Sequence, residues 1–473
     1  MTPSQYTPEE PISSIATALA PAALGIVRVS GRGCIELVSK VFSRPKALLE
    51  AAGNTLVYGW VVEPVETTKI DEVMLAVYRA PKSFTGEDMV EIFCHGSPAV
   101  VTAIQNLMLK IGFRQANRGE YTFRAFINGK TDLTRAEAVK EIIDSHTDVS
   151  RSHAAGRLAG ALFTEIDSIK KLIIDTLAAI EVEIEYPEDE ETIADSFDRS
   201  DIELAARRLS ALVDSWQGEK LYQDGARVVL AGRTNAGKSS LFNAILKEER
   251  AIVSDIEGTT RDWLESWASI NGIPVRLFDT AGLRETSDVI EAQGVEISRN
   301  LVHDADVVLY LVDSQSGLND EDREFIKKCD VPLIVVETKI DCYQDVNGHP
   351  ELVSGSDSEG SRNKFGMTVN SVAISSKTGD GLAELFTQIS SILTAGLSTE
   401  RTQAGLGSAR QKEAVAAALE SVRHALISAD DNYTLDAVVQ DLEDALDSLG
   451  EVTGDVTPDD VLGSIFANFC VGK

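Results

Sequence analysis

The chain is poor in cysteine: five residues in 473 (Cys34, Cys94, Cys329, Cys342 and Cys470), odd in number and with no CxxC pair. That excludes a disulfide framework and a thiolate zinc site. The six histidines form no HExxH or comparable ligand pair. No apolar run approaches the ~20 residues that cross a bilayer, and the longest early stretch, Ile15 to Val27, is broken by Pro21 and Gly25. A secretory signal needs a positive flank and a transit peptide is arginine-rich and acid-poor; here Glu9 and Glu10 precede the first basic residue, Arg28. A cytoplasmic protein is expected. Basic charge is also scarce, with 44 Lys+Arg against 75 Asp+Glu and a net charge of −31. The balance is +1 over residues 1–130, −12 over 131–225, −11 over 226–396 and −9 over 397–473. Nucleic-acid binding draws on counterion release at basic surface, so any RNA contact here is local or made through a partner.

What is present is enough for about three domains. Hydrophobic residues at 43% and charged residues at 25% describe a globular chain. From Leu24 to Glu91, β-branched and aromatic runs bounded by Gly and Pro read as strands. Gly33–Val41 and Ala99–Lys110 have helical spacing, so residues 1–128 read as one α/β domain. Residues 133–184 read as continuous helix, Pro187 ends it, and another helix is expected from about Ser200 to Tyr222. Strands are then expected at Arg227–Ala231, Pro274–Phe278, Val307–Val312, Leu333–Val336 and Val372–Ser375, alternating with helices. That alternation implies a doubly wound, mostly parallel sheet over 223–396. Residues 401–449 return to helix, Pro458 opens a last one, and 345–366 read as a loop.

The strand Val228–Leu230 runs into Gly232-Arg233-Thr234-Asn235-Ala236-Gly237-Lys238-Ser239-Ser240 and then a helix. This is GxxxxGK[ST] in its confirming context. Backbone N–H groups and a helix N-terminus favour phosphate there; Lys238 would reach the β- and γ-phosphates, and Ser239 would ligate magnesium. Gly258-Thr259-Thr260-Arg261-Asp262 follows, then Asp279-Thr280-Ala281-Gly282 after a strand. A loop threonine, Thr260, can complete the magnesium shell; Asp279 holds the ion through water, and the Gly282 N–H faces the γ-phosphate. Thr338-Lys339-Ile340-Asp341 ends a later strand. A carboxylate at Asp341 can accept from both guanine N1–H and N2–H₂, which adenine does not offer, and Ser375-Ser376-Lys377 adds a backbone N–H for the guanine carbonyl. GTP is therefore the expected nucleotide.

With Val253-Ser254-Asp255-Ile256-Glu257-Gly258-Thr259-Thr260, Asp279 through Glu285, Ser83 through Asp88, Gly119 through Lys130 and the terminal Phe469-Cys470-Val471-Gly472-Lys473, the chain resembles the bacterial MnmE (TrmE) family of tRNA-modification GTPases end to end. The resemblance implies a multidomain α/β protein. Residues 1–128 would be a tetrahydrofolate-binding, dimerising α/β domain; 129–222 and 397–473 would be two parts of an all-α helical domain, with a Ras-like P-loop G domain, 223–396, inserted between them. It implies a homodimer that works with the FAD-dependent partner MnmG, using 5-formyl- or 5,10-methylene-tetrahydrofolate, to add a carboxymethylaminomethyl or aminomethyl group at C5 of the wobble uridine of certain tRNAs. Folate residues carried over are Arg28, Glu87, Lys130 and Lys473. By itself, Arg28 on an apolar strand reads as a structural ion pair. Cys470 takes redox or alkylation chemistry from the resemblance, and a buried thiol from its sequence alone. Thr338 stands where the family has asparagine; its hydroxyl can serve the phosphate loop, but it has no amide.

Leu283 occupies the position after Asp-x-x-Gly where Ras-like proteins orient water with glutamine. The resemblance assigns that task to Glu291, and assigns the charge of an arginine finger to potassium held by Asn235, Ser254, Ile256 and Thr259. Arg114, Arg118, Arg124 and Lys130 alternate with Phe113, Tyr121, Phe123 and Phe126; core aromatics with solvated or folate-facing charges explain this better than an RNA surface. The competing function is an Era-like ribosome-assembly GTPase switch, which would need a basic RNA-binding appendage where residues 397–473 carry −9.

Overall fold

The valine-, isoleucine- and aromatic-rich runs near the N-terminus form one six-stranded sheet in the computed structural model. Its strands are β1 (Ile12–Ile15), β2 (Ala22–Ser30), β3 (Thr55–Val62), β4 (Lys69–Tyr78), β5 (Met89–Gly96) and β6 (Arg114–Gln115), in the order β3-β4-β5-β2-β1-β6. All pairs are antiparallel except β1 with β6. Where Pro21-Ala22-Ala23-Leu24 leads into β2, the register slips between Ala22 and Leu24. Two-residue alternation puts Val27, Val29, Val73, Leu75, Val90 and Ile92 into a core closed by Ile104, Leu107 and Met108 of the helix Pro98–Lys110. Gly119 then starts a helix, Glu120–Ile127, in a stretch to which the sequence assigned no element.

The description covers residues 10–64, 68–185, 198–248, 264–279, 301–342, 370–397, 404–430 and 435–472. They group into two units: Met1–Ile143, Ala155–Val213 and Gly407–Lys473 in one, Asp144–Ala154 and Asp214–Leu406 in the other. Residues 133–184 are not continuous helix but three helices, Leu133–Asp144, Asp148–Leu158 and Ala161–Glu185. The first break has a local cause: Thr147 Oγ1 accepts from the Ser150 N–H at 3.1 Å, and Ser150 Oγ accepts from the Thr147 N–H at 3.1 Å, an N-cap that starts a new helix. Residues 404–408 likewise precede the helix Ala409–Asp430, which packs along Leu435–Thr453. The last helix, Asp459–Ala467, follows Pro458 as its N-cap, and its Phe466 meets Phe123 edge to face with centroids 5.3 Å apart.

The second unit holds a sheet of β7 (Ala226–Gly232), β8 (Leu264–Ile270), β9 (Ile273–Asp279), β10 (Val307–Asp313), β11 (Leu333–Thr338) and β12 (Asn370–Ala373), ordered β12-β11-β10-β7-β9-β8. Every pair is parallel except β8 with β9. The last strand ends at Ala373, so Ile374 and Ser375 belong to the loop beyond it and not to the strand. Val228, Leu230, Val275, Leu277, Leu309 and Val336 fill one face with the helix Lys238–Glu248, while Val229, Val308, Tyr310 and Val335 face the other side. In the same unit the His146 ring stacks on Trp267 of β8, centroids 3.8 Å apart, with the Arg276 guanidinium 4.6 Å from the same indole.

Candidate functional site

In a doubly wound sheet, loops at the carboxyl ends of the strands form the binding crevice, and four of the predicted motifs meet there. β7 ends at Gly232, whose φ of 133° and hypothetical Cβ only 2.4 Å from Leu311 O admit no side chain. Asn235 (φ 63°) and Gly237 (φ 94°) continue the curl of the loop, and Lys238 opens the next helix. Lys238 Nζ donates to the carbonyls of Gly232 and Arg233, both at 2.9 Å, which points the ammonium along the inside of the loop. Ser239 Oγ donates to Asp279 Oδ2 at 2.8 Å, and Asp279 is only 4% exposed. A hydroxyl and a carboxylate brought together at a phosphate loop are the hard oxygen donors that magnesium takes. Ser240 follows in the same helix and is exposed.

At the end of β11, Thr338 is 1% exposed and its Oγ1 donates to Ala236 O at 2.8 Å, with Val312 O at 3.3 Å. The hydroxyl thus bonds the phosphate loop from β11 without an amide. Lys339, at φ 63°, donates Nζ to Asn235 O at 2.8 Å and to Asp313 Oδ2 at 2.6 Å. That lysine bond and the Gln315 N–H hold the Asp313 carboxyl below the usual carboxylate range. Asp341 is exposed; Ser375 Oγ donates to its Oδ1 at 2.8 Å and, as the leading cause, lowers its pKa. Ser375 Oγ in turn accepts from the N–H groups of Lys377 and Thr378, at 3.3 and 3.2 Å, while Ser376 sits half-buried in the same turn. The expected residues Ser254, Asp255, Ile256, Glu257, Gly258, Thr259, Thr260, Thr280, Ala281, Gly282 and Glu291, and also Lys473, lie outside the described residues.

A second polar cluster lies on the N-terminal sheet. Arg28 of β2 bonds Glu91 Oε1 through Nε (2.9 Å) and Nη2 (2.6 Å), and donates through Nη1 to Gly472 O at 3.0 Å. It is therefore both a structural ion pair and a receptor for the C-terminal tail. The tail is held further by a bridge between Arg118 and Val471 and by the Gly119 N–H to Cys470 O at 3.4 Å. Cys470 is exposed, which corrects the buried-thiol reading. Glu87 accepts from Ser30 Oγ at 2.7 Å and, at 3.0 and 3.1 Å, from Nη1 of Arg124. Lys130 Nζ donates to Pro81 O at 3.0 Å. Residues 81–87 are the common neighbour: Phe84 lies 5.8 Å from the Arg28 guanidinium, and the Lys130 side chain packs against Gly86.

Arg124 also corrects an expectation, because it is fully buried and not a solvated or folate-facing charge. It joins Glu87 to the buried Glu120 (2.9 Å), which Arg114 contacts from the other side at 2.6 Å. Burial pushes the Glu120 carboxyl up, but Arg114, the Asn117 N–H and Arg124 outweigh it, so the net shift is downward. The neighbouring aromatics Phe113, Tyr121 and Phe123 are core residues. Sequence reasoning missed Asp313, Asp322 and Glu91. Asp313 had a readable signal, an aspartate ending an apolar strand as Asp279 does; the other two are acids among many.

The comparisons agree over the whole chain. The family model described as "GTP-binding protein TrmE N-terminus" matches residues 11–130, and that of the "MnmE helical domain" matches 133–470. The "tRNA modification GTPase MnmE" of Treponema denticola is 51% identical over 99% of each chain. That of Borrelia recurrentis is 39% identical, again over 99% of each. A crystal structure of an Aquifex aeolicus Era variant bound to GDP.AlF4- is 26% identical over 41% of this chain and 66% of that one, at a TM-score of 0.28, too loose a likeness to bear on function.

Proposed function

The chain belongs to the MnmE family of tRNA-modification GTPases and is a GTP hydrolase acting in tRNA modification; from that premise we propose how its residues divide the work. GTP lies across the loops after β7, β9, β10 and β11, with Lys238 aimed at the β- and γ-phosphates. Magnesium, held by Ser239 and Thr260 with Asp279 behind a water, would supply positive charge to the phosphate oxygens. Asp341 reads guanine. One observation carries this reading: Thr338 and Lys339 bond to the carbonyls of Ala236 and Asn235, so the segment that ends in the ionised Asp341 is braced on the phosphate loop itself. Base recognition and phosphate binding are thereby held in one frame.

Hydrolysis needs a group to orient water and a charge to offset that developing on the γ-phosphate. Leu283 can do neither. Glu291 takes the first task, and potassium, held by Asn235, Ser254, Ile256 and Thr259, would take the second. Replacing potassium by sodium should slow GTP turnover ~10²-fold or more while leaving nucleotide affinity within a few-fold. Equal rates in the two salts would remove potassium from the reading.

Tetrahydrofolate, as the 5-formyl or 5,10-methylene form, is bound by Arg28, Glu87, Lys130 and Lys473. Its support is the gathering of the first three around residues 81–87 and the arrival of Gly472 on Arg28. A carboxylate suits the paired donors of a pterin and cations suit a glutamate tail. The protein works as a homodimer with the FAD-dependent MnmG, which would bring the flavin and most of the tRNA contact; a chain of net charge −31 fits that division. The product is a carboxymethylaminomethyl or aminomethyl group at C5 of the wobble uridine, made in the cytoplasm. Mass spectrometry of tRNA nucleosides from cells lacking the gene tests this: loss of the modified wobble uridine is expected, and an unchanged nucleoside profile would overturn it.

A further inference from the structure

The phosphate loop carries an arginine that hydrolysis as proposed does not use. Arg233 follows Gly232, and its guanidinium turns towards the loop after β10. Nη2 donates to Gly317 O at 2.6 Å and to Ser316 Oγ at 3.5 Å, and forms an ion pair with Asp322 Oδ2 at 3.0 Å. The Arg233 side chain is 37% exposed, whereas that of Asp322 is 1% exposed. Asp322 is held from every side: Tyr310 O–H donates to its Oδ1 at 2.7 Å, the Asn319 N–H donates to Oδ2 at 2.9 Å, and its own N–H donates to Asn319 Oδ1 at 2.8 Å. These last two form the capping box of the helix Asp320–Lys328. Tyr310 is stacked on Phe325, and burial together with the Asp322 bond raises its hydroxyl pKa, so it remains a donor. Arg233 is thus moored to a rigid, buried carboxylate.

The backbone of the same residue faces the chemistry. Arg233 O accepts from Lys238 Nζ at 2.9 Å and from the Ala236 N–H at 3.2 Å. Of the two carbonyls that aim the lysine, Gly232 O belongs to a residue paired in the sheet with Leu311, and Arg233 O belongs to the first residue beyond it. We propose that Arg233 is a positioning residue for GTP: its ion pair with Asp322 fixes the carbonyl that points Lys238 at the phosphates. Its side chain is not an arginine finger, because the guanidinium is committed to Gly317 and Asp322 on the flank of the loop.

The two roles separate in kinetics. An arginine finger acts on the transition state, so removing it would cost ~10³–10⁵ in kcat with little change in affinity. A positioning residue that aims the lysine governs ground-state binding as well. Arg233→Ala should therefore weaken binding of a fluorescent GTP analogue, and raise KM for GTP, by about tenfold, the scale of one hydrogen bond to a charged group. Arg233→Lys, which keeps one donor for Gly317 O, should recover part of the loss. Asp322→Asn should weaken binding in the same way, and the double variant should be no worse than Arg233→Ala, since both remove one interaction. Because Arg233 is partly exposed, its variant keeps the melting temperature close to that of the parent, and the test does not depend on Asp322→Asn folding. Unchanged affinity in Arg233→Ala, or a collapse of kcat at constant affinity, would overturn the proposal.

Discussion

At the scale of single residues, the guanine recognition proposed for Asp341 turns on acceptor number. Asp341 offers two carboxylate oxygens, one already supported by Ser375. Asp341→Asn should lose GTP by up to ~10⁴-fold and gain xanthosine nucleotide, whose C2 carbonyl accepts from the new amide. Competition between the two nucleotides measures it, and a variant that keeps GTP preference refutes the assignment. His146 gives a pH prediction. Burial and then the Arg276 charge lower its pKa, with Asp144 opposing. The folded state therefore binds its proton less readily than the unfolded chain does. The stack on Trp267 is at full strength above the unfolded value of ~6.5 and is lost as pH falls through the lower folded value. Urea unfolding at pH 7.5 and 5.5 should show a stability loss on acidification that His146→Phe reduces; identical losses in both proteins would show that His146 does not titrate on unfolding.

Among elements, the telling junction is where the helix Glu120–Ile127 meets the helix Asp459–Ala467. Gly119 holds φ 68°, and a Cβ there would stand 2.6 Å from Phe466 O. Glycine is required both for the backbone conformation and for the approach of the last helix. Gly119→Ala should destabilise the unit that contains it by ~2–4 kcal/mol, a strained φ with a clash added. It should also expose Cys470 and the tail to proteolysis. A shift in melting temperature with limited proteolysis reads both effects; an unshifted melt with a protected tail would mean that the junction relaxes at little cost.

For the whole molecule, the C-terminal tail decides whether the N-terminal sheet has a complete polar site. Deleting residues 470–473 removes the Gly472 carbonyl from Arg28 and the pairing with Arg118 and Gly119. GTP hydrolysis should be nearly intact, while 5-formyl-tetrahydrofolate binding weakens and wobble-uridine modification disappears. Isothermal titration beside a GTPase assay on the same truncated protein separates these outcomes, and undiminished folate affinity would place Lys473 outside the site. What the amino-acid order determined alone is local. Periodicity wrote β2 to β5 of the first sheet and all of the second but β8, leaving out β1, β6 and β8, and contiguous motifs such as Gly232 to Ser240 named their chemistry, because a phosphate loop is built from neighbours in the chain. The break at Thr147 was missed because capping hydroxyls look like ordinary polar residues until their partners are known, and the helix at Glu120 because its N-cap is a glycine with no side-chain cap to signal it. Only tertiary structure joined Arg28 to Gly472, Arg124 to Glu87, and Arg233 to Asp322. Each pair is dozens to hundreds of residues apart, and in a chain with 75 acids no spacing rule picks out the partner that burial selects.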